Sequence, residues 1–177
     1  LMLDILWSGW RAQYISSLPE SQVPKDGPSV FRRILESGMD DEESFIVHRG
    51  EHVFVIMNSY PYAVGHFMVV PYRQVAALEE LAVAESAELW RTVTEGVRVA
   101  KEALGPEGLN VGLNIGTAAG GSVNEHLHVH VVPRWTGDNN FLVATARTKS
   151  ISQPLDVTAD ALRRVWRDLE PANRVSP

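Results

Sequence analysis

The chain has 177 residues, with 45% hydrophobic residues, a formal net charge of −6 and no cysteine. This length suits one compact domain with a sizeable core, and the acidic balance argues against a surface built to attract DNA or RNA. Without cysteine there can be no disulfides, thiolate catalysis or cysteine-held zinc; no apolar run reaches the roughly 18 residues of a membrane span, so a cytoplasmic protein is expected.

Trp7, Trp10 and Tyr14 fall on one helical face, so residues 3–18 read as a short helix or arm that docks on the core or on a partner subunit. Pro19, Pro24, Gly27 and Pro28 make 19–28 a loop. Val30 to Leu35 reads as a short helix, and Asp40 to Glu43 as a solvated acidic turn. Phe45 to Arg49 and Val53 to Met57 are apolar runs split by Gly50-Glu51, the pattern of a hairpin. A loop from Ser59 to Gly65 leads to a strand from Phe67 to Val70. Residues 84–104 carry the clearest helical stripe, Leu89, Val93, Val97, Ala100 and Leu104, closed by Gly105-Pro106. Residues 158–169 read as a terminal helix with Ala161, Leu162, Val165, Trp166 and Leu169 on one face.

Between those helices the alternation becomes chemical. Leu109, Val111, Leu113 and Ile115 alternate with Asn110, Gly112, Asn114 and Gly116, and Leu127, Val129 and Val131 alternate with His126, His128 and His130. A period of two puts each apolar set on one face and each polar set on the other. The simplest geometry is an antiparallel pair joined by a loop containing Gly120-Gly121-Ser122, with asparagines and histidines on a shared face. Burying three imidazoles without partners would cost roughly 1–3 kcal/mol for each unsatisfied group, so a purely structural role is disfavoured. A metal site is the chemical rival, but only Glu125 and Asp138 supply nearby carboxylates, and the glycine-rich loop has no evident role in it. Attack on phosphorus uses all the parts. A neutral imidazole is a competent nucleophile near neutral pH, flanking histidines hold charged oxygens, and backbone N–H groups of Gly120, Gly121 and Ser122 cradle phosphate.

The run His126-Leu127-His128-Val129-His130-Val131-Val132 resembles the signature of the histidine triad superfamily of nucleotide hydrolases and transferases. Met57-Asn58, Gly65-His66-Phe67-Met68-Val69-Val70-Pro71 and Asn110 to Ile115 resemble further blocks of that family. Tyr60-Pro61-Tyr62, Pro133-Arg134-Trp135 and Gly137-Asp138-Asn139-Asn140-Phe141 are similar to its bacterial diadenosine tetraphosphate phosphorylase branch. The resemblance implies an α+β fold in which an antiparallel sheet is backed by the long helix. It would form a single domain: an N-terminal arm and loop over 1–43, the core over 44–150, and a tail with a helix over 151–177.

It also implies roles. His128 would attack the α-phosphorus and carry the nucleotidyl group, with His126 and His130 contacting phosphate oxygens or orienting the nucleophile. His66 would orient from behind. Asn114, Gly120, Gly121 and Ser122 would bind phosphates, Asn58 would reach the ribose, and Trp135 would line the cleft. The implied reaction is phosphorolysis of a dinucleoside polyphosphate, giving ATP and ADP from diadenosine tetraphosphate. The alternatives are a hydrolase of dinucleoside polyphosphates or nucleoside phosphoramidates and, from another class, a nucleotide-binding sensor. The expected partners are the nucleotide substrate and inorganic phosphate, in a homodimer or homotetramer. No metal or other cofactor is required on this reading, and Mg²⁺ accompanying the substrate stays open.

Overall fold

The computed structural model describes residues 27–121, 123–138 and 151–173. The expected aromatic arm with Trp7, Trp10 and Tyr14 lies outside these residues, as do Ser122 and Asn139 to Phe141.

Helix α1 (Val30–Glu36) starts where Ser29 accepts a hydrogen bond from the Arg32 N–H, an N-cap that satisfies one of the helix's free donors. The hairpin follows as β1 (Ile46–Arg49) and β2 (Val53–Met57), paired antiparallel with an irregularity between Ile46 and His48. Its tight turn is tied to the long helix, because the buried Glu88 carboxylate accepts the N–H groups of Glu51 and His52 at 2.8 and 2.9 Å. Strand β3 (Phe67–Pro71) pairs with β2 through Val55 opposite Val69. Helix α2 (Val83–Leu104) ends at Gly105 in the left-handed conformation, φ 59°, as its glycine-proline stop predicts. Strands β4 (Gly108–Gly112) and β5 (Val129–Arg134) complete one antiparallel sheet, ordered β1-β2-β3-β5-β4, and α3 (Leu155–Asn173) closes the fold.

The apolar runs of β2 and β3 are continuous rather than alternating because both sheet faces are covered. On one face Val53, Val55, Met57, Phe67, Val69, Val129 and Val131 meet α2 and α3 through Leu89, Val93, Leu162 and Trp166. On the other, Phe54, Ile56, Met68 and Val70 meet Phe31 of α1. The sheet is therefore an α+β layer with its long helices on one side and a short helix on the other.

Two expectations shift at strand ends. The alternation from Leu109 to Ile115 predicts a buried apolar face, yet Val111 and Ile115 are 44% and 45% exposed. Strand β4 is the sheet's edge beside β5, while α2 packs over β2, β3 and β5; the helix cover stops one strand short. Strand β5 begins only at Val129, so His126 and His128 lie on the segment leading into it. Alternation still holds across that boundary: Leu127, Val129 and Val131 join the α2 side, and His128 and His130 face the α1 side, where they line a cavity.

Candidate active site

The cavity on the α1 side encloses about 720 Å³, within the usual range for a small-molecule site. Phe31 and Ile34 of α1 form one apolar wall, with Ile56 of β2 and Met68 of β3 behind them. Asn58, Asn114, Gly121, Asn124 and Glu125 supply polar groups, and His128 and His130 also line the cavity. An apolar wall beside two imidazoles suits a heteroaromatic base joined to a phosphate.

The imidazole protons can be assigned from their partners. The His128 Nδ1 lies 2.8 Å from the carbonyl oxygen of His126. A carbonyl only accepts, so Nδ1 carries the proton and Nε2 keeps its lone pair. The Tyr62 N–H donates to His66 Nδ1 at 3.0 Å, which puts a proton on His66 Nε2. That nitrogen lies 3.0 Å from His130 Nδ1, so His130 accepts there and carries its own proton on Nε2. The backbone thus presents two different nitrogens: a bare Nε2 on His128 and an N–H on His130. The two rings are 4.8 Å apart and nearly perpendicular.

Of the two roles expected for His126, phosphate contact or orientation of the nucleophile, the geometry fits the second. It is fully buried and is not among the residues lining the cavity. Its Nε2 donates to the Pro71 carbonyl at 2.8 Å, and its Nδ1 accepts from the Ser29 hydroxyl at 2.6 Å. Direct contact of His126 with a phosphate oxygen is therefore replaced by orientation, through its own carbonyl on His128. Because both His126 nitrogens are spent inside the protein, the three imidazoles do not offer three lone pairs to one ion.

Burial lowers the affinity of all three rings for a second proton. Desolvation is the main cause at His126 and at His128, and it pulls His130 down to about 4 with help from the neighbouring His128. In the unfolded chain each would titrate near its ordinary 6.5. Depressed folded values mean that the unfolded state binds more protons in acid. Stability is therefore full above about pH 6.5 and is lost as pH falls from there through the folded values. Thermal unfolding followed from pH 7.5 down to 4.5 should show this decline, and His126→Asn should flatten it; a midpoint independent of pH over that range would contradict the assignment.

The glycine-rich loop borders the cavity at Gly120 and Gly121, but one of its expected backbone donors is already used. Gly120 sits at φ 85° and donates its N–H to Thr117 O at 3.0 Å, closing a 3₁₀ turn over Thr117–Ala119. Its donor is thus used within the loop. Gly121 faces the cavity, and a β-carbon there would stand 2.9 Å from Asn124 Oδ1 and 3.4 Å from the Asn114 side chain. Glycine at this point keeps the loop close to both asparagines. Ser122 lies outside the described residues. Asn114 and Asn58 line the cavity as expected, although Asn58 Oδ1 also accepts from the Tyr60 N–H at 2.9 Å, a local turn. Trp135 does not line this cavity among the described residues. Its Nε1 donates to Gly105 O at 3.2 Å, and the ring borders a separate hollow with Ala63, Thr136 and Asp138.

Sequence reasoning missed the α1 wall. Phe31 and Ile34 share a face in the short helix, but nothing local shows that this face closes over β2 and β3. Phe31 also touches the histidines, its ring centroid 5.3 Å from both His126 and His128. Tyr62, whose ring packs 4.6 Å from His66 and 5.7 Å from His130, was seen only as part of a motif.

Known proteins resemble the chain along most of its length. The HIT domain model matches residues 40–137. AP-4-A phosphorylase of Mycobacterium tuberculosis (strain ATCC 25618 / H37Rv) is 46% identical over 165 residues, which is 93% of this chain and 85% of the relative. The asymmetrical bis(5'-nucleosyl)-tetraphosphatase of Schizosaccharomyces pombe is 30% identical over 95 residues, 54% of this chain and 52% of that protein. Among solved structures, the hypothetical histidine triad nucleotide-binding protein ST2152 of Sulfolobus tokodaii strain 7 superposes with a TM-score of 0.65 at 26% identity, covering 79% of this chain and 93% of that one. The chain belongs to the HIT domain family.

Proposed function

We propose that the protein is a dinucleoside polyphosphate phosphorylase that converts diadenosine tetraphosphate and phosphate to ATP and ADP through a nucleotidyl-histidine intermediate. The observation that carries the chemistry is the bare Nε2 of His128, held by the 2.8 Å bond from its Nδ1 to the His126 carbonyl. The choice of phosphorolysis rests on the Mycobacterium tuberculosis relative, whose likeness extends over 93% of the chain; the phosphatase relative from Schizosaccharomyces pombe matches 54%.

In the first step the Nε2 lone pair attacks the α-phosphorus. A P–N bond forms, the P–O bond to the β-phosphate breaks, and ATP leaves with the bonding electrons. No proton has to move, because the imidazole attacks in its neutral form. The ring becomes cationic, and its Nδ1–H points at the His126 carbonyl, which favours that charge. In the second step a phosphate oxygen attacks the same phosphorus, the P–N bond breaks, and ADP leaves with His128 neutral again. The apolar slot of Phe31, Ile34, Ile56 and Met68 would hold the base of the transferred nucleotide, and Asn114 with Gly121 would hold its phosphate.

The test is product analysis with and without inorganic phosphate. Diadenosine tetraphosphate should yield ATP and ADP in equal amounts, dependent on phosphate. AMP in place of ADP with phosphate present would replace phosphorolysis by hydrolysis and leave the first step unchanged.

A further inference from the structure

The cavity wall and the nucleophile are joined by a chain of hydrogen bonds that starts at the cap of α1. Ser29 is fully buried. Its hydroxyl oxygen accepts the Arg32 N–H at 3.2 Å, which begins the helix carrying Phe31 and Ile34. The same hydroxyl donates to His126 Nδ1 at 2.6 Å. The backbone N–H of Ser29 is held in turn by Gln74 Oε1 at 2.9 Å. Beyond His126 the chain continues from its carbonyl to His128 Nδ1 at 2.8 Å.

This serine therefore has two duties that would normally fall to separate residues. As an N-cap it needs only an acceptor oxygen. As a partner for His126 it must be a donor, since His126 Nε2 already gives its proton to the Pro71 carbonyl and Nδ1 is left as an acceptor. A hydroxyl provides both at once; a carboxylate or an alanine would not. With the hydroxyl present, the His126 ring is pinned at both nitrogens, and Phe31 lies edge-on against it at 5.3 Å and 86°. The peptide that carries the His126 carbonyl is thus held from two directions, by the Leu127 N–H bonded to the Val75 carbonyl and, through the pinned His126 ring, by the seat of α1.

We propose that Ser29 is a positioning residue for the reaction, coupling the seat of the base-binding helix to the protonation pattern of the nucleophile through His126. This rests on His128 being the nucleophile. Losing the hydroxyl would leave the His126 ring anchored at Nε2 alone, by the Pro71 carbonyl, and so loosen the residue whose carbonyl holds the His128 proton. The His128 proton could then occupy either nitrogen, and the form protonated on Nε2 cannot attack.

Two variants separate this role from simple helix capping. Glycine at an N-cap leaves a helix nearly as stable as serine does, whereas alanine does not. Ser29→Gly and Ser29→Ala both remove the donor to His126. Both are expected to lower kcat for diadenosine tetraphosphate by about 10- to 100-fold, the scale seen when a metal-bound imidazole loses the group that orients it, with KM little changed. Ring-nitrogen NMR of the unliganded protein should show His128 protonated on Nδ1 alone in the parent chain and on a mixture of nitrogens in Ser29→Gly. Unchanged kcat in Ser29→Gly overturns the proposal, and so does a His128 ring that keeps its single Nδ1–H form. If the parent chain turns over no dinucleoside polyphosphate, the enzymatic reading fails, and the NMR comparison, which needs no substrate, still decides the role of Ser29.

Discussion

His128→Ala is expected to reduce turnover of diadenosine tetraphosphate by about 10⁴-fold or more, while nucleotide binding survives. No neighbour can replace the lost nucleophile. His126 has both nitrogens hydrogen-bonded and is fully buried. His130 accepts at Nδ1 from His66 and holds its proton on Nε2, so it offers the cavity a donor rather than a lone pair. The base slot is made from α1, β2 and β3, which leaves most of the binding surface intact. Rapid-mixing assays with the parent chain should also trap a phosphoramidate on His128, stable in base and labile in acid, that the variant cannot form. Turnover within about tenfold of the parent in a variant with normal thermal unfolding would remove His128 as the nucleophile.

The fold was readable in the sequence where one local pattern had one physical meaning. The stripe from Leu89 to Leu104 could only be a helix with a covered face, and it spans Val83–Leu104. The period-two histidines could only share a face, and His128 and His130 do so in a single cavity. What stayed hidden was decided by neighbours distant in the chain. The exposure of Val111 depends on where the cover of α2 ends. The withdrawal of His126 from the cavity depends on Ser29, 97 residues away in sequence. The inward use of the Gly120 N–H is local, but composition alone does not distinguish a glycine loop that closes a turn from one that cradles an anion. Alternation places a side chain on a face; it does not say whether that face holds a ligand or another side chain.

His130 has a task unlike that of a proton donor in the acid–base sense. Removing its ring, as His130→Ala, is expected to lower kcat by roughly 10²–10³-fold, the cost of losing one preorganised donor to developing negative charge. Burial holds its pKa down at about 4, so the ring is neutral at working pH and its Nε2–H can stabilise charge but cannot readily be transferred. A charged imidazolium acting as general acid would make activity fall as pH rises through about 4, leaving little at neutrality. The leaving group does not require it, because a polyphosphate oxygen departs as a stable anion. The loss should therefore appear in kcat, where the interaction tightens as charge builds on phosphate oxygens, and much less in KM. The parent's kcat should hold level through neutrality and fall in acid as His128 gains a proton, the limb lying below the ordinary histidine value because burial lowers the His128 pKa. Steady-state rates at saturating phosphate for the parent and His130→Ala test both points. A loss confined to KM, or a parent profile that declines steadily as pH rises through neutrality, would show that His130 is not the neutral donor its contact with His66 makes it.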